Sequence, residues 1–147
     1  MKILYLFLGI LILLIVVFIE INYFNSQTPR AEINGHTFSL YLAKTSSEQE
    51  VGLAKFNKIG KNQGMLFIFL QSDYYSFWMK NMKFPIDIIF INKSVIVDVF
   101  QNVPFQKNND NLPIYTTHKK ADGVLEINSG LSKEYKIKTG DKVDINL

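Results

Sequence analysis

"GMLFIFLQSDYYSFWMKNMKFPIDIIFI", Gly64 to Ile91, is the stretch on which the fold turns. It holds the only tryptophan and three of the four methionines. Its first part, "GMLFIFL", is apolar at every position, which predicts a strand buried on both faces. Gln71-Ser72-Asp73 reads as a turn into a second strand, "YYSFWMK". "FPIDIIFIN" predicts a third, with Pro85 at its first residue or on an edge, because proline has no N–H to give a ladder. Strands this short, separated by a few turn residues, predict a β domain.

Lys80, Asn81 and Asp87 interrupt this apolar run. Asp87 would share a face with Ile89 and Ile91, where an unpaired carboxylate is too costly to persist. The leading reading makes Asp87 a structural staple that accepts backbone amides of the "KNMK" turn or the Asn81 side chain. The others make it a general acid or base in a cleft, or a contact to a polar ligand. Strand alternation places Trp78 and Lys80 on one face, and Phe77, Met79 and Asn81 on the other. Trp78 is either core or a platform that stacks on a sugar ring or a base. Lys80 either snorkels past Trp78 to solvent or pairs with Asp87 or Glu126. Further on, Glu126 and Asn128 alternate onto one face, opposite Leu125 and Ile127. That face is an exposed rim, or it lines one mouth with Asp87 and Asn81. The candidate ligand-binding residues are therefore Trp78, Lys80, Asn81, Asp87, Glu126 and Asn128.

Working outward, Asn34-Gly35 is a type I′ turn signal that predicts a hairpin over Ala31–Lys44. Ser47 and Glu50 have capping-box spacing before a short helix weakened by Gly52. Asn92-Lys93-Ser94 reads as a turn into the strand "VIVDVFQNV". Gln106 to Pro113 reads as a polar loop, "DGVLEIN" as a strand, "SGLSKEYKIKTGD" as a helical turn or two, and "KVDIN" as a last strand. Six or seven short strands with two short helices predict a compact, mostly antiparallel sandwich or small barrel over 31–147.

The N-terminus is of another kind. Ile3 to Ile19 contains no charge and no proline, and is apolar all round. With the residues to Phe24 it spans about 33 Å as a helix, enough for a bilayer core. Tyr23 and Phe24 would lie at the far interface. No small-x-small site follows, so an uncleaved anchor over 1–24 is expected in preference to a removed signal peptide. Lys2 on the near side and Arg30 on the far side place the domain outside the cytoplasm, by the positive-inside rule. "NSQTPR", 25–30, reads as a linker.

The chain has 147 residues, a formal net charge of +3 and no cysteine. The missing cysteine excludes disulfides, thiolate metal sites, cysteine nucleophiles and a lipid carried on cysteine. The lysines form no block, so nucleic acid is not an expected partner. His36 and His118 have no metal-ligand spacing, and no phosphate loop or G-x-S-x-G motif occurs. No cofactor is implied. The expected partners are the membrane, through residues 3–24, and a small polar ligand or an envelope protein.

Three motifs carry a resemblance. Gly64-Met65-Leu66-Phe67 with Phe69, then Phe77-Trp78-Met79-Lys80-Asn81, then Pro85, Asp87 and Ile89-Phe90, resemble the uncharacterised bacterial and archaeal family numbered 192 among the domains of unknown function. Gly52-Leu53 precedes them. Val124-Leu125-Glu126, Asn128 and Gly130 follow, then Ile137-Lys138 and Gly140-Asp141. The resemblance covers about residues 32 to 147. It implies a mostly β fold of jelly-roll-like or barrel character, often exported behind an N-terminal anchor, and brings no activity. Two departures stand out. "AKFNKIGKNQ" lacks the methionine and arginine usual in the family, so no role of that arginine is carried over. Lys136 stands where the family often has glycine, and a left-handed conformation there would cost a lysine something glycine avoids.

The resulting expectation is a membrane-tethered, extracytoplasmic β domain that binds a small polar or glycan-like ligand, or an envelope protein, without catalysis. Two alternatives remain. One is an enzyme using Asp87 with Lys80 or Glu126. The other is an accessory domain whose signature is all core.

Overall fold

The computed structural model describes residues 2–147, with the side chains of 2–4 and 22–27 outside the description. The expectations that rest on the side chains of Lys2, Tyr23 and Phe24 fall outside the described residues. Helix α1 runs Lys2–Gln27. Its described side chains, Tyr5 to Ile21, make about 25 Å of helix. Among the described residues, no helix is long and apolar enough to cross a membrane. The anchor expected over 1–24 therefore gains no support from the fold. The linker expected over 25–30 is shorter than that. The helix continues to Gln27, and strand β1 begins at Arg30. Pro29 ends the helix, because it forces the residue before it toward extended backbone.

Strand β1 (Arg30–Ile33) and strand β2 (His36–Ala43) form the expected hairpin. Its turn residues, Asn34 and Gly35, have φ of 51° and 78°, both positive as a type I′ turn needs. Helix α2 (Ser46–Val51) is capped by Thr45, two residues before the expected cap. Thr45 Oγ1 accepts the Glu48 N–H at 3.3 Å, and Glu48 Oε2 accepts the Thr45 N–H at 2.9 Å. The capping box belongs to Thr45 and Glu48 because β2 ends at Ala43 and leaves Thr45 extended. A 3₁₀ turn, Gly52–Lys55, completes the crossover.

That crossover allows strand β3 (Gln63–Asp73) to run parallel to β2, the one parallel pair in the sheet. Strand β3 continues through the turn expected at Gln71–Asp73. The strand expected over "YYSFWMK" shrinks to β4 (Ser76–Trp78). Asn81 takes φ of 59°, a left-handed turn conformation that ends any alternation beyond Trp78. Strands β5 (Ile86–Asn92) and β6 (Val95–Val103) follow as expected, with Pro85 just before β5. Strand β7 (Ile114–Thr116), unforeseen in the sequence, pairs with β4. Strand β8 (Ala121–Asn128), helix α3 (Leu131–Glu134) and strand β9 (Asp144–Asn146) complete the chain.

Seven strands form one sheet in the order β6-β5-β8-β3-β2-β1-β9. Its outer members approach each other. Val95 bridges Lys142, Ile96 N donates to Asp141 O at 2.9 Å, and Val143 N donates to Ser94 O at 2.9 Å. The sheet thus curls into a half-barrel instead of splitting into two stacked sheets, which answers the sandwich-or-barrel alternative and does not give a jelly roll. Both faces are packed. Leu66, Ile89, Ile91, Leu125 and Ile127 point to one side with Phe38, Ile137 and Val143. Met65, Phe67, Ile88, Phe90 and Val124 point to the other, with Leu53, Met79 and Met82. This is why β3 and β5 read as apolar without alternation. Each fully buried Ile or Phe contributes about 1.5–3 kcal/mol. Gly64 lets β3 and β8 close together, since a Cβ there would lie 2.7 Å from the Glu126 carbonyl oxygen.

Candidate functional site

Asp87 is fully buried and fully used. Its Oδ1 accepts the Asn102 N–H at 2.7 Å and the Gly130 N–H at 3.1 Å, and its Oδ2 accepts the Ser132 N–H at 2.8 Å. Gly130 is the N-cap of α3 and has no side chain to cap it. Asp87 supplies that cap from across the fold, satisfying amides that a helix start leaves orphaned. The staple expected from the sequence is present, but its partners are neither the "KNMK" turn nor Asn81. They are the β6 residue Asn102, with φ of 55°, and the β8–α3 corner.

Asp87 and Glu126 lie on opposite faces of the sheet. Asp87 pairs in register with Ile127, and Glu126 pairs with Ile88. An acid–base pair of Asp87 with Glu126 is therefore not assembled. Glu126 is also not on a rim. It is 5% exposed, on the face covered by the β4–β7 ribbon and the α2 crossover. Sequence alternation gives its face correctly, but what covers that face depends on β7, three residues long.

A pocket of about 140 Å³ opens above Glu126. Phe67, Phe69, Tyr75 and Phe77 form its walls, while Gln49 and Gly52 come from α2 and the 3₁₀ turn. Phe67 and Phe77 meet edge to face with centroids 5.0 Å apart, and Phe69 stacks on Tyr75 at 3.6 Å. Trp78, Lys80 and Glu50 also line the pocket. Trp78 is 50% exposed, and Lys80 Nζ sits 5.1 Å from its ring centroid. Gly52, with φ of 52°, is required twice over. Its conformation favours glycine, and a Cβ would lie 3.2 Å from Phe67 Cζ and 4.0 Å from Glu126 Oε2.

Glu126 Oε2 is buried with no hydrogen-bond partner. Desolvation with no compensating charge pushes its pKa up to about 8, so the carboxyl is protonated at neutral pH. A neutral carboxyl offers one donor and one acceptor. The site is thus a pocket with aromatic walls and a neutral carboxyl at its floor, with Gln49 and Ser76 also on its lining.

Of the six candidates, Trp78, Lys80 and Glu126 come together. Asn81 and Asn109 are mutual partners: the Asn81 N–H donates to Asn109 Oδ1 at 2.9 Å, and Asn109 Nδ2 donates to Asn81 Oδ1 at 2.7 Å. Asn128 Nδ2 donates to Gly60 O at 2.8 Å and ties down the loop before β3. The sequence reading missed Gln49, Gly52, Phe67, Phe69 and Tyr75 as site residues. The glycine inside a short helical pattern was the available signal. Among the described residues, no three His, Asp or Glu side chains are grouped to hold a metal ion.

A family model for DUF192, described as an uncharacterized ACR, matches residues 29–145. No curated protein matches the chain. The structure is similar to that of a protein of unknown function from Novosphingobium aromaticivorans DSM 12444, at 33% identity and a TM-score of 0.69, over 80% of this chain and 83% of that one. It is also similar to a Sinorhizobium meliloti 1021 protein described only provisionally as a transcription regulator. The identity there is 28% and the TM-score 0.70, over 80% of this chain and 91% of that one.

Proposed function

The chain belongs to the DUF192 family, and from that premise we propose a membrane-tethered binding domain that holds a small polar ligand in the Glu126 pocket. The observation that carries the reading is the buried, unpartnered Oε2 of Glu126 facing an aromatic cavity. A polar group left unsatisfied in a core costs about 1–3 kcal/mol, and a ligand that hydrogen-bonds it recovers that cost. Trp78 at the mouth suits stacking on the ring of a larger, glycan-like ligand whose polar end enters the pocket. The half-exposed ring would equally suit an envelope protein bearing such a group.

The tether rests on α1. Its described side chains, Tyr5 to Ile21, are apolar apart from Glu20 and exposed. A helix apolar on every face suits lipid. The charge pattern of the sequence puts the β domain outside the cytoplasm. Fractionation with protease added to intact spheroplasts tests this: digestion of the domain supports the tether, and a protected or soluble product defeats it.

The pocket is tested by a thermal-shift screen of the full chain in detergent against sugars, amides, nucleotides and peptidoglycan fragments. A ligand at a hundred times its dissociation constant adds about 2.7 kcal/mol. The shift should disappear in Glu126→Leu. A screen without any Glu126-dependent shift would favour a purely structural accessory domain. A second reading uses the same carboxyl, which near pH 8 is poised as a general acid. Turnover of a ligand found in the screen, lost in Glu126→Gln while binding remains, would move the protein among the enzymes.

A further inference from the structure

The chemistry of the pocket restricts its ligand beyond size, given the reading of this cavity as a binding site. About 140 Å³ is close to the roughly 150 Å³ cavity that accepts a benzene ring. The pocket therefore admits one ring or one small planar group. Its walls are aromatic faces and edges, which favour flat partners. The ionisable and charged side chains around it are few. Glu50 comes from α2, and Tyr75 and Lys80 from the β4 arm. From β3 and β5 the neighbours facing Glu126 are Met65 and Ile88, its register partners. Glu50 and Lys80 are exposed, one of each sign, so charge stays outside.

The floor group fixes the rest. Glu126 Oε2 has no partner that would dictate ionisation, and burial governs the state of the group. A protonated carboxyl presents O–H and C=O side by side, in one plane. The matching edge has N–H and C=O side by side, on the same side of an amide bond. Primary carboxamides and lactams have that edge. Open-chain secondary amides do not, because their trans geometry points N–H and C=O apart.

We infer that the pocket reads a planar cis-amide edge, the adjacent C=O and N–H of an uncharged carboxamide or lactam, through two hydrogen bonds to Glu126. An anion would meet the carboxyl lone pairs. A cation would need the buried group ionised without solvent. Neither matches the cavity as well as a neutral edge that satisfies both oxygens at once.

Calorimetry on the full chain in detergent tests this with 2-pyridone, N-methyl-2-pyridone, benzylamine and benzoate. 2-Pyridone should bind at pH 6.5. Its N-methyl form, which keeps the ring and carbonyl but lacks the N–H, should bind at least tenfold more weakly. Affinity for 2-pyridone should fall about tenfold per pH unit above the Glu126 pKa of about 8, as the donor is lost. Glu126→Gln offers a similar donor–acceptor edge, so it should keep binding and lose the pH dependence. Glu126→Leu should lose both. Equal binding of the N-methyl form overturns the inference. So does benzylamine binding that tightens as pH rises, although the pocket would still be a ligand site. If no probe binds while the wider screen finds a Glu126-dependent ligand without this edge, the inference fails and the binding reading survives. If neither finds a ligand, both fail.

Discussion

Asp87 and Glu126 are two buried carboxyls with opposite fates, and each predicts a different mutational result. Asp87 is satisfied by three backbone donors. Asp87→Asn keeps the shape but turns an NH₂ toward one of those amides. It should cost about 1–3 kcal/mol in chemical denaturation, and Asp87→Ala at least as much. An unchanged midpoint would mean that the three bonds contribute nothing net. Glu126 is buried and unsatisfied, so its folded pKa of about 8 lies above the ordinary value of 4.5. Between those values the folded state binds a proton that the unfolded state has released. Stability therefore falls as pH rises from about 4.5 to about 8 and levels off above that. Glu126→Gln should remove this slope and be more stable than wild type at pH 9, by an amount on the order of several kcal/mol. Melting curves across that pH range check it. A wild type with no such slope would mean that Glu126 is charged or hydrated. The sequence marks Asp87 as an anomaly, because a carboxyl in an apolar strand needs an explanation, whereas the alternation around Glu126 suits an exposed rim as well as a mouth. The sequence could not supply Asp87's partners, which are 15 to 45 positions away.

At the level of elements, local chemistry was legible where the chain itself enforces it. Asn34-Gly35 predicted its hairpin because the I′ turn demands two positive φ values. The turn between β5 and β6 needs the same geometry from poorer residues: Lys93 and Ser94 have φ of 47° and 63°. Lys136, suspected from the resemblance, does adopt φ of 56°. A non-glycine residue there costs about 1–2 kcal/mol, partly offset by glycine's greater entropy when unfolded. Lys136→Gly should therefore stabilise the domain by up to about 1 kcal/mol, read as a raised denaturation midpoint. A lowered midpoint would mean that the lysine side chain contributes more than its backbone strain costs. The failures were of the opposite kind. Two overlapping S/T-x-x-E patterns, Thr45 with Glu48 and Ser47 with Glu50, fit a capping box, and only the end of β2 decides for the first. β7 went unseen because three residues carry no period, and its place is set by pairing with β4.

For the molecule as a whole, the mostly β class was legible in turn spacing and apolar runs. The strand order was not, because pairing β3 beside β2 in parallel depends on a crossover whose path no local pattern states. The seven-stranded sheet draws its strands from 30–146 alone and its outer members meet, which predicts that residues 28–147 fold without α1. Circular dichroism of that fragment should show β content and one cooperative melt, and a disordered product would tie the domain's stability to the helix. The Asp87 staple also has a consequence in time. Its three donors belong to β6, to the β8–α3 corner and to the first turn of α3, and they are gathered on one β5 side chain. No small fluctuation frees one of them while the rest of the corner stays shut. In heavy water the amides of Asn102, Gly130 and Ser132 should therefore keep their protons longer than those of the neighbouring surface loops, and exchange at a common rate that reports opening of the half-barrel as a unit.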